Sequence, residues 1–216
     1  MNCSGERAVS NMWSFAAGEL CFTVSVLILV RHGRTAANAA GLLQGRGDLS
    51  LDEIGRDQAR QVALSIGQVD RVISSPLVRA RETASNFGVP VTIDDRWTEL
   101  DFGDYEGMPT NEVPAQVWLN WRNDQNFATP NGESMRQLDE RVRAASAEAI
   151  ALAIDKVVVV VSHVSPIKAA MAWALGGDVS LSFRCHLDQA AVCRIANRGG
   201  VPVLASFNEV LYTRAT

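Results

Sequence analysis

VSVLILV, residues 24–30, is a run of seven apolar or small residues rich in β-branched side chains, and it reads as a strand covered on both faces. A second run, KVVVVVSH at 156–163, has the same character. Strands of this kind belong to a mostly parallel sheet with helices on each side, and residues just past the carboxyl ends of its central strands meet in one crevice. Each run leads into a histidine, so His32 and His163 are predicted to converge although 131 positions separate them.

Between the two runs, residues 50–67 read as a helix: Leu51, Ile54, Ala59, Val62 and Ile66 approximate a helical stripe, and Ser50 with Glu53 forms an S-x-x-E capping box. VISS at 72–75 predicts a short strand, after which Ser75 caps a helix whose first position is Pro76 and which carries Arg79 one turn in. A further strand is expected over 89–93. Residues 108–133 differ, being rich in Asn, Pro and Gln. They read as a short helix flanked by loops, a segment that covers something with Trp118, Trp121 and Phe127. Ser134 and Gln137 make another capping box, for an Ala-rich helix to about Ile154, and Ser165 with Pro166 opens the helix after the valine run. Residues 190–196 and 202–207 read as the last strands, parted by Asn197, Gly199 and Gly200. The predicted fold class is therefore α/β: a single three-layer α/β/α domain with a mostly parallel central sheet over residues 23–216, preceded by an N-terminal extension over 1–22.

With 216 residues, 47% of them hydrophobic and 20% charged, the chain can fill one substantial core, which argues against disorder, collagen and coiled coil. Twenty basic against 24 acidic groups leave a net charge of -4 and no global field for a polyanion, so no nucleic-acid partner is expected. Residues 12–30 are largely apolar, but Glu19 interrupts them and 24–30 is needed as a strand. Neither a signal nor a membrane span is expected, and the protein reads as cytoplasmic. Cys3, Cys21, Cys185 and Cys193 have neither CxxC spacing nor the density of a disulfide scaffold and read as free thiols. A homodimer stays open.

Arg31-His32-Gly33, directly after the first core strand, is the sharpest local feature. A neutral imidazole at a strand end can attack phosphorus while a neighbouring guanidinium supplies planar donors to phosphoryl oxygens. Taken one at a time, the other candidates have plain readings. Arg79 is a surface helix arginine, His163 a satisfied core histidine, and Asn38 a cap or turn residue; Glu99, near Asp101, Asp104 and Glu106, belongs to a solvated acidic loop.

The segment LVRHGRTAANAAGLLQGRGDLSLDEIGRDQA resembles the signature of the histidine phosphatase superfamily, whose phosphoglycerate mutase-like branch has the pattern RHG-x-T-x-x-N. SSPLVRARETA at 74–84, WTELDFGDYEG at 97–107 and VVVVSHVSPIKAAM at 158–171 continue the resemblance in order, over about residues 24–210. It implies that His32 is the nucleophile that becomes phosphohistidine and that Arg31, Arg79 and His163 hold the transferred group. Asn38 would donate from its side-chain amide, the backbone near Gln44 and Gly45 would lie against the phosphate, and Glu99 would be the acid and base. The chemistry supports these residue types. A phosphoryl transition state spreads charge over its equatorial oxygens, which arginines and a histidine match. A backbone carbonyl on His32 Nδ1 would present Nε2 to phosphorus, and Arg31 beside it opposes protonation. No metal and no cofactor is required. Val164 departs from the pattern, standing where many relatives have glycine, and narrows the pocket. The 158–171 segment with HLDQAAV at 186–192 is also similar to the acid phosphatase domain found fused to ribonuclease H in actinobacteria.

The resemblance leaves three functions. Cofactor-dependent phosphoglycerate mutases carry a long basic insertion between the positions of Glu99 and His163. Here that interval is 64 residues, 108–133 holds one basic residue, Arg122, and Leu42 stands where the mutases have an arginine. A non-catalytic phosphate-binding member would lack His32, Arg31 or Glu99, and none is lacking. Hydrolysis of a small phosphorylated metabolite with a partly apolar or ringed leaving group is the expected function.

Overall fold

A computed structural model describes residues 25–213, and in it the two apolar runs lie side by side at the centre of one sheet. The expected extension over 1–22, with Cys3, Trp13 and Cys21, lies outside the described residues. The first run forms β1 (Ser25–Arg31) and the second β4 (Val157–Ser162), paired in parallel with Val26 opposite Val157 and Arg31 opposite Ser162. β2 (Arg71–Ser74) and β3 (Val91–Ile93) extend the parallel part on one side. β5 (Val192–Arg198) and β6 (Val201–Glu209) form an antiparallel hairpin on the other, turning through Gly199 and Gly200, both at positive φ. The order is β3-β2-β4-β1-β5-β6, a mixed and mostly parallel sheet as expected.

Alternation along β1 sends Leu27 and Leu29 to one face and Ile28 and Val30 to the other, and both faces are covered. Ile28 and Val30 pack with Val159 and Val161 under α2 (Glu53–Ile66) and α3 (Val78–Ala84). Leu27 and Leu29 pack with Val158 and Val160 under α5 (Met135–Leu152) and α6 (Val164–Ala174), where Ala145, Ala149, Ala169 and Ala170 are all buried. Each fully buried valine or leucine contributes about 1.5–3 kcal/mol of transfer free energy, so the central strands are the most strongly fixed part of the molecule. The histidines that follow them inherit that rigidity.

Several local boundaries differ from the sequence reading. α2 is capped by Asp52, whose side chain accepts from Gly55 N–H, and not by Ser50. Its buried face runs through Gly55, Gln58, Ala59, Val62 and Ala63, while Ile54, one position off that stripe, is 38% exposed. Gly67, at φ +79°, ends it. α3 starts at Val78 and not at Pro76; Ser75 Oγ accepts from Leu77 N–H at 3.3 Å, before the helix begins. α6 starts at Val164, immediately after His163 and ahead of Ser165 and Pro166. The Ser134 and Gln137 box is formed as predicted, each side chain meeting the other's backbone N–H. Cys185 and Cys193 are free, and burial pushes the Cys193 thiol up to about 12. Among the described residues no helix is long and apolar enough to cross a membrane.

The 108–133 segment holds a short helix, α4 (Ala115–Asn123), as expected. Its rings face inward: Trp121 is 2% exposed and stacks edge-on to Phe102 and Phe127, with Trp118 tilted against it at 5.2 Å. Trp121 is thus a core residue, and the covering role expected of it does not fit its burial. Trp118 and Phe127 remain partly exposed over it.

Candidate active site

β1 and β4 end level with one another, because His32 N–H donates to Ser162 O at 2.9 Å and continues the parallel ladder by one step. The rings of His32 and His163 therefore come to 5.0 Å between centroids, as the two run ends predicted. His32 Nδ1 lies 2.7 Å from Gly33 O, and a carbonyl can only accept, so Nδ1 carries the proton. Arg79 Nε, which can only donate, lies 3.2 Å from His32 Nε2, so the lone pair is on Nε2. This is the tautomer a nitrogen nucleophile needs. Burial, then Arg79 and Arg31, hold His32 well below the ordinary histidine range and keep it neutral. Burial and Arg79 do the same to His163.

Arg31 donates Nη1 to Leu187 O at 2.7 Å, and burial lowers its pKa to about 10 against the opposing pull of Glu99 and Asp188. Arg79 is fully buried, and its Nη1 and Nη2 donate to Gly47 O at 2.9 Å and Gly45 O at 2.7 Å. Glu99, 4% exposed, sits on the N-terminus of α6 and caps it from outside: its carboxylate accepts from Val164 N–H and Ser165 N–H at 3.1 Å each, and from Leu100 N–H at 2.8 Å. Three buried polar atoms at this site have no partner among the described residues: the donors Arg31 Nε and Gln44 Nε2, and the ring nitrogen His163 Nδ1. Two arginines, two neutral histidines and a carboxylate, with donors to spare around one imidazole lone pair, suit an anion with several oxygens.

The profile of the histidine phosphatase superfamily (branch 1) matches residues 27–210. The chain belongs to that superfamily. Among curated proteins, this chain is 34% identical over 200 residues to a bifunctional protein of Mycobacterium tuberculosis, covering 87% of the chain and 53% of that protein. The chain thus spans about half the length of the first curated relatives it matches. It is 36% identical over 166 residues to a glucosyl-3-phosphoglycerate phosphatase of Mycolicibacterium vanbaalenii, covering 69% of the chain and 74% of that protein. Among solved structures, a mutant phosphoserine phosphatase of Entamoeba histolytica in complex with phosphoserine superposes with TM-score 0.80 at 29% identity, covering 86% of this chain and 97% of that one.

In this chain the five residues Arg31, His32, Arg79, Glu99 and His163 come together from four separate segments, and the remaining predicted residues take other places. Asn38 closes a capping box with Thr35 around α1 (Ala36–Ala39), the plain reading of that residue, and its amide donates to Gln44 Oε1 at 3.3 Å. With Thr35 Oγ1 also donating to Gln44 Oε1 at 2.7 Å, the unpaired side-chain amide is that of Gln44. The absent side chains of Gly33 and Gly45 make room for protein: a Cβ at Gly33 would strike the backbone of Gly55, and one at Gly45 would lie 2.7 Å from Leu100 O. His186 pairs with Asp188 at 3.3 Å.

Sequence reasoning passed over two supports. Ser75 Oγ lies 2.7 Å from His163 Nε2; Ser75 stands in SSPLVRARETA, where Arg79 took the attention. Arg141 pairs through both nitrogens with Glu133 at 2.7 Å and donates to the carbonyls of Arg96 at 2.6 Å and Thr98 at 2.7 Å, fixing the chain that leads into Glu99. Nothing in the sequence separates Arg141 from the other arginines of α5. The open groove of about 610 Å³ lined by Arg34, Asp57, Gln58 and Asp188 lies behind α2 and includes none of the five converging residues.

Proposed function

We propose that this chain hydrolyses small phosphomonoesters without a metal, through a phosphohistidine at His32. The observation that carries the reading is the set of three buried, unpartnered polar atoms, the donors Arg31 Nε and Gln44 Nε2 and the ring nitrogen His163 Nδ1, beside an imidazole whose Nε2 lone pair is fixed by its neighbours. The Nε2 pair attacks phosphorus, and the bond to the ester oxygen breaks with its electrons on that oxygen, which takes a proton from Glu99. Water then attacks phosphorus, Glu99 takes its proton, and the N–P electron pair returns to Nε2 as inorganic phosphate leaves. Arg31, Arg79 and His163 meet the charge on the equatorial oxygens, with the Gln44 amide beside them.

The substrate is a small phosphorylated metabolite, a reading supported by the names of the phosphatase relatives, with a partly ringed leaving group, supported by the half-exposed Trp118 and Phe127 and by the glucosyl-3-phosphoglycerate phosphatase relative. The match to half of a longer bifunctional protein suits a phosphatase domain of the kind carried on a longer chain, and a cytoplasmic setting suits its free thiols. The rival is mutase action. Purified protein with EDTA is assayed against a panel of phosphomonoesters for phosphate release, and against 3-phosphoglycerate with 2,3-bisphosphoglycerate for interconversion. Metal-independent release is expected; interconversion with negligible release would establish the mutase in its place.

A further inference from the structure

Arg46 and Gly47 lie on an exposed loop, yet both of their amides are engaged by one carboxylate. Glu106 Oε1 accepts from Arg46 N–H, and Oε2 accepts from Gly47 N–H at 2.8 Å. On the other side of the same backbone, the carbonyls of Gly45 and Gly47 accept from Arg79, whose Nε reaches His32 Nε2. Gly45 C=O and Arg46 N–H belong to one planar trans peptide and point in opposite directions. Fixing that N–H on a carboxylate therefore aims the carbonyl at the guanidinium. The peptide lies between a negative and a positive group with its dipole aligned to both, which strengthens each bond. The carboxylate comes this close because the loop has no side chain at the contact: a Cβ at Gly45 would overlap Glu106 Oε1. Glu106 has no ion pair with a basic side chain among the described residues, although its charge reaches Arg79 through the loop.

We propose that Glu106 is a positioning residue for Arg79, holding the guanidinium on His32 through the Gly45 and Arg46 peptide. The proposal rests on the phosphatase reading of the site. Glu106→Gln tests it, because the amide keeps the size and one acceptor but turns an NH2 group toward the second N–H. With p-nitrophenyl phosphate as the probe, kcat should fall by at least about tenfold, with a much smaller change in KM, since Arg79 contacts gain strength as charge develops on the oxygens. In an Arg79→Lys background the same substitution should cost less than about twofold, because the path to His32 runs through the guanidinium. An equal factor in both backgrounds, or an unchanged kcat in the single variant, would overturn the proposal. Amide hydrogen exchange on the wild-type protein decides the matter if the variant does not fold: Arg46 and Gly47 N–H must be protected despite their exposed loop, and free exchange refutes the clamp. A wild-type protein that releases no phosphate would sink the phosphatase reading instead, leaving the exchange result to judge the clamp.

Discussion

Two neutral histidines buried beside two arginines make the fold acid-sensitive in a pH range that separates them from the carboxylates. His32 and His163 are held well below their ordinary value of 6.5 in the folded chain, while in the unfolded chain they titrate near it. The unfolded state therefore binds more protons as pH falls through 6.5, and stability that is complete above that value is lost below it. Each histidine that stays neutral when folded costs about 2 kcal/mol between pH 7.5 and 5.0, so the pair costs about 4 kcal/mol. The carboxylates held low by partners, Asp57, Asp94, Glu148 and Asp178, start from ordinary values of 3.8 or 4.5 and lose their contribution only below that range. Urea unfolding at pH 7.5, 6.5, 5.5 and 5.0 measures the slope, and His163→Asn should remove about half of it. A stability that is flat from pH 7.5 to 5.0 would mean that both rings accept protons freely when folded, and would refute the argument that Arg31, Arg79 and burial keep them neutral.

Glu99→Gln should slow hydrolysis of alkyl phosphates far more than that of p-nitrophenyl phosphate, whose leaving group needs little protonation; equal losses would move the acid role elsewhere. Arg141→Met should destabilise the fold by about 2 kcal/mol in urea unfolding, since it leaves Glu133 only the longer contact to Arg46 at 3.5 Å and frees three carbonyls, of Arg96, Thr98 and Glu99. It should also lower kcat by loosening the chain that leads into Glu99, and retention of full activity would deny that link. Trp121→Ala should cost about 3–5 kcal/mol of stability as a core deletion and leave KM for p-nitrophenyl phosphate nearly unchanged in the folded fraction, whereas a large KM rise would restore Trp121 to the substrate wall.

The sheet was legible because VSVLILV and KVVVVVSH are apolar at every position, a pattern that a strand buried on both faces requires, and the meeting of His32 with His163 followed from parallel pairing alone. Helix starts were less legible. Ser50, Asp52 and Glu53 all have capping chemistry, and the choice of Asp52 depends on how the preceding loop meets Arg34, which its carboxylate also binds. Trp118, Trp121 and Phe127 read as a cover because aromatic rings in a polar segment are ambiguous between lid and core. For Trp121, only its burial against Phe102 resolves it. Glu99 was identified as the carboxylate of the site, but its second role, capping α6 from a different segment, is a tertiary contact that no local pattern records. Arg141 and Glu106 were hidden for the same reason: each acts on backbone far away in sequence, and their neighbours look equally charged.

The central claim is that His32 Nε2 takes the phosphoryl group. Incubating the protein with a phosphorus-labelled phosphomonoester, quenching within milliseconds under conditions that preserve phosphoramidates, and mapping the label by peptide mass spectrometry tests it directly. Phosphate on His32, absent when His32→Ala is treated in the same way, is the predicted result. Normal turnover with no label on His32, or label on another residue, would contradict it.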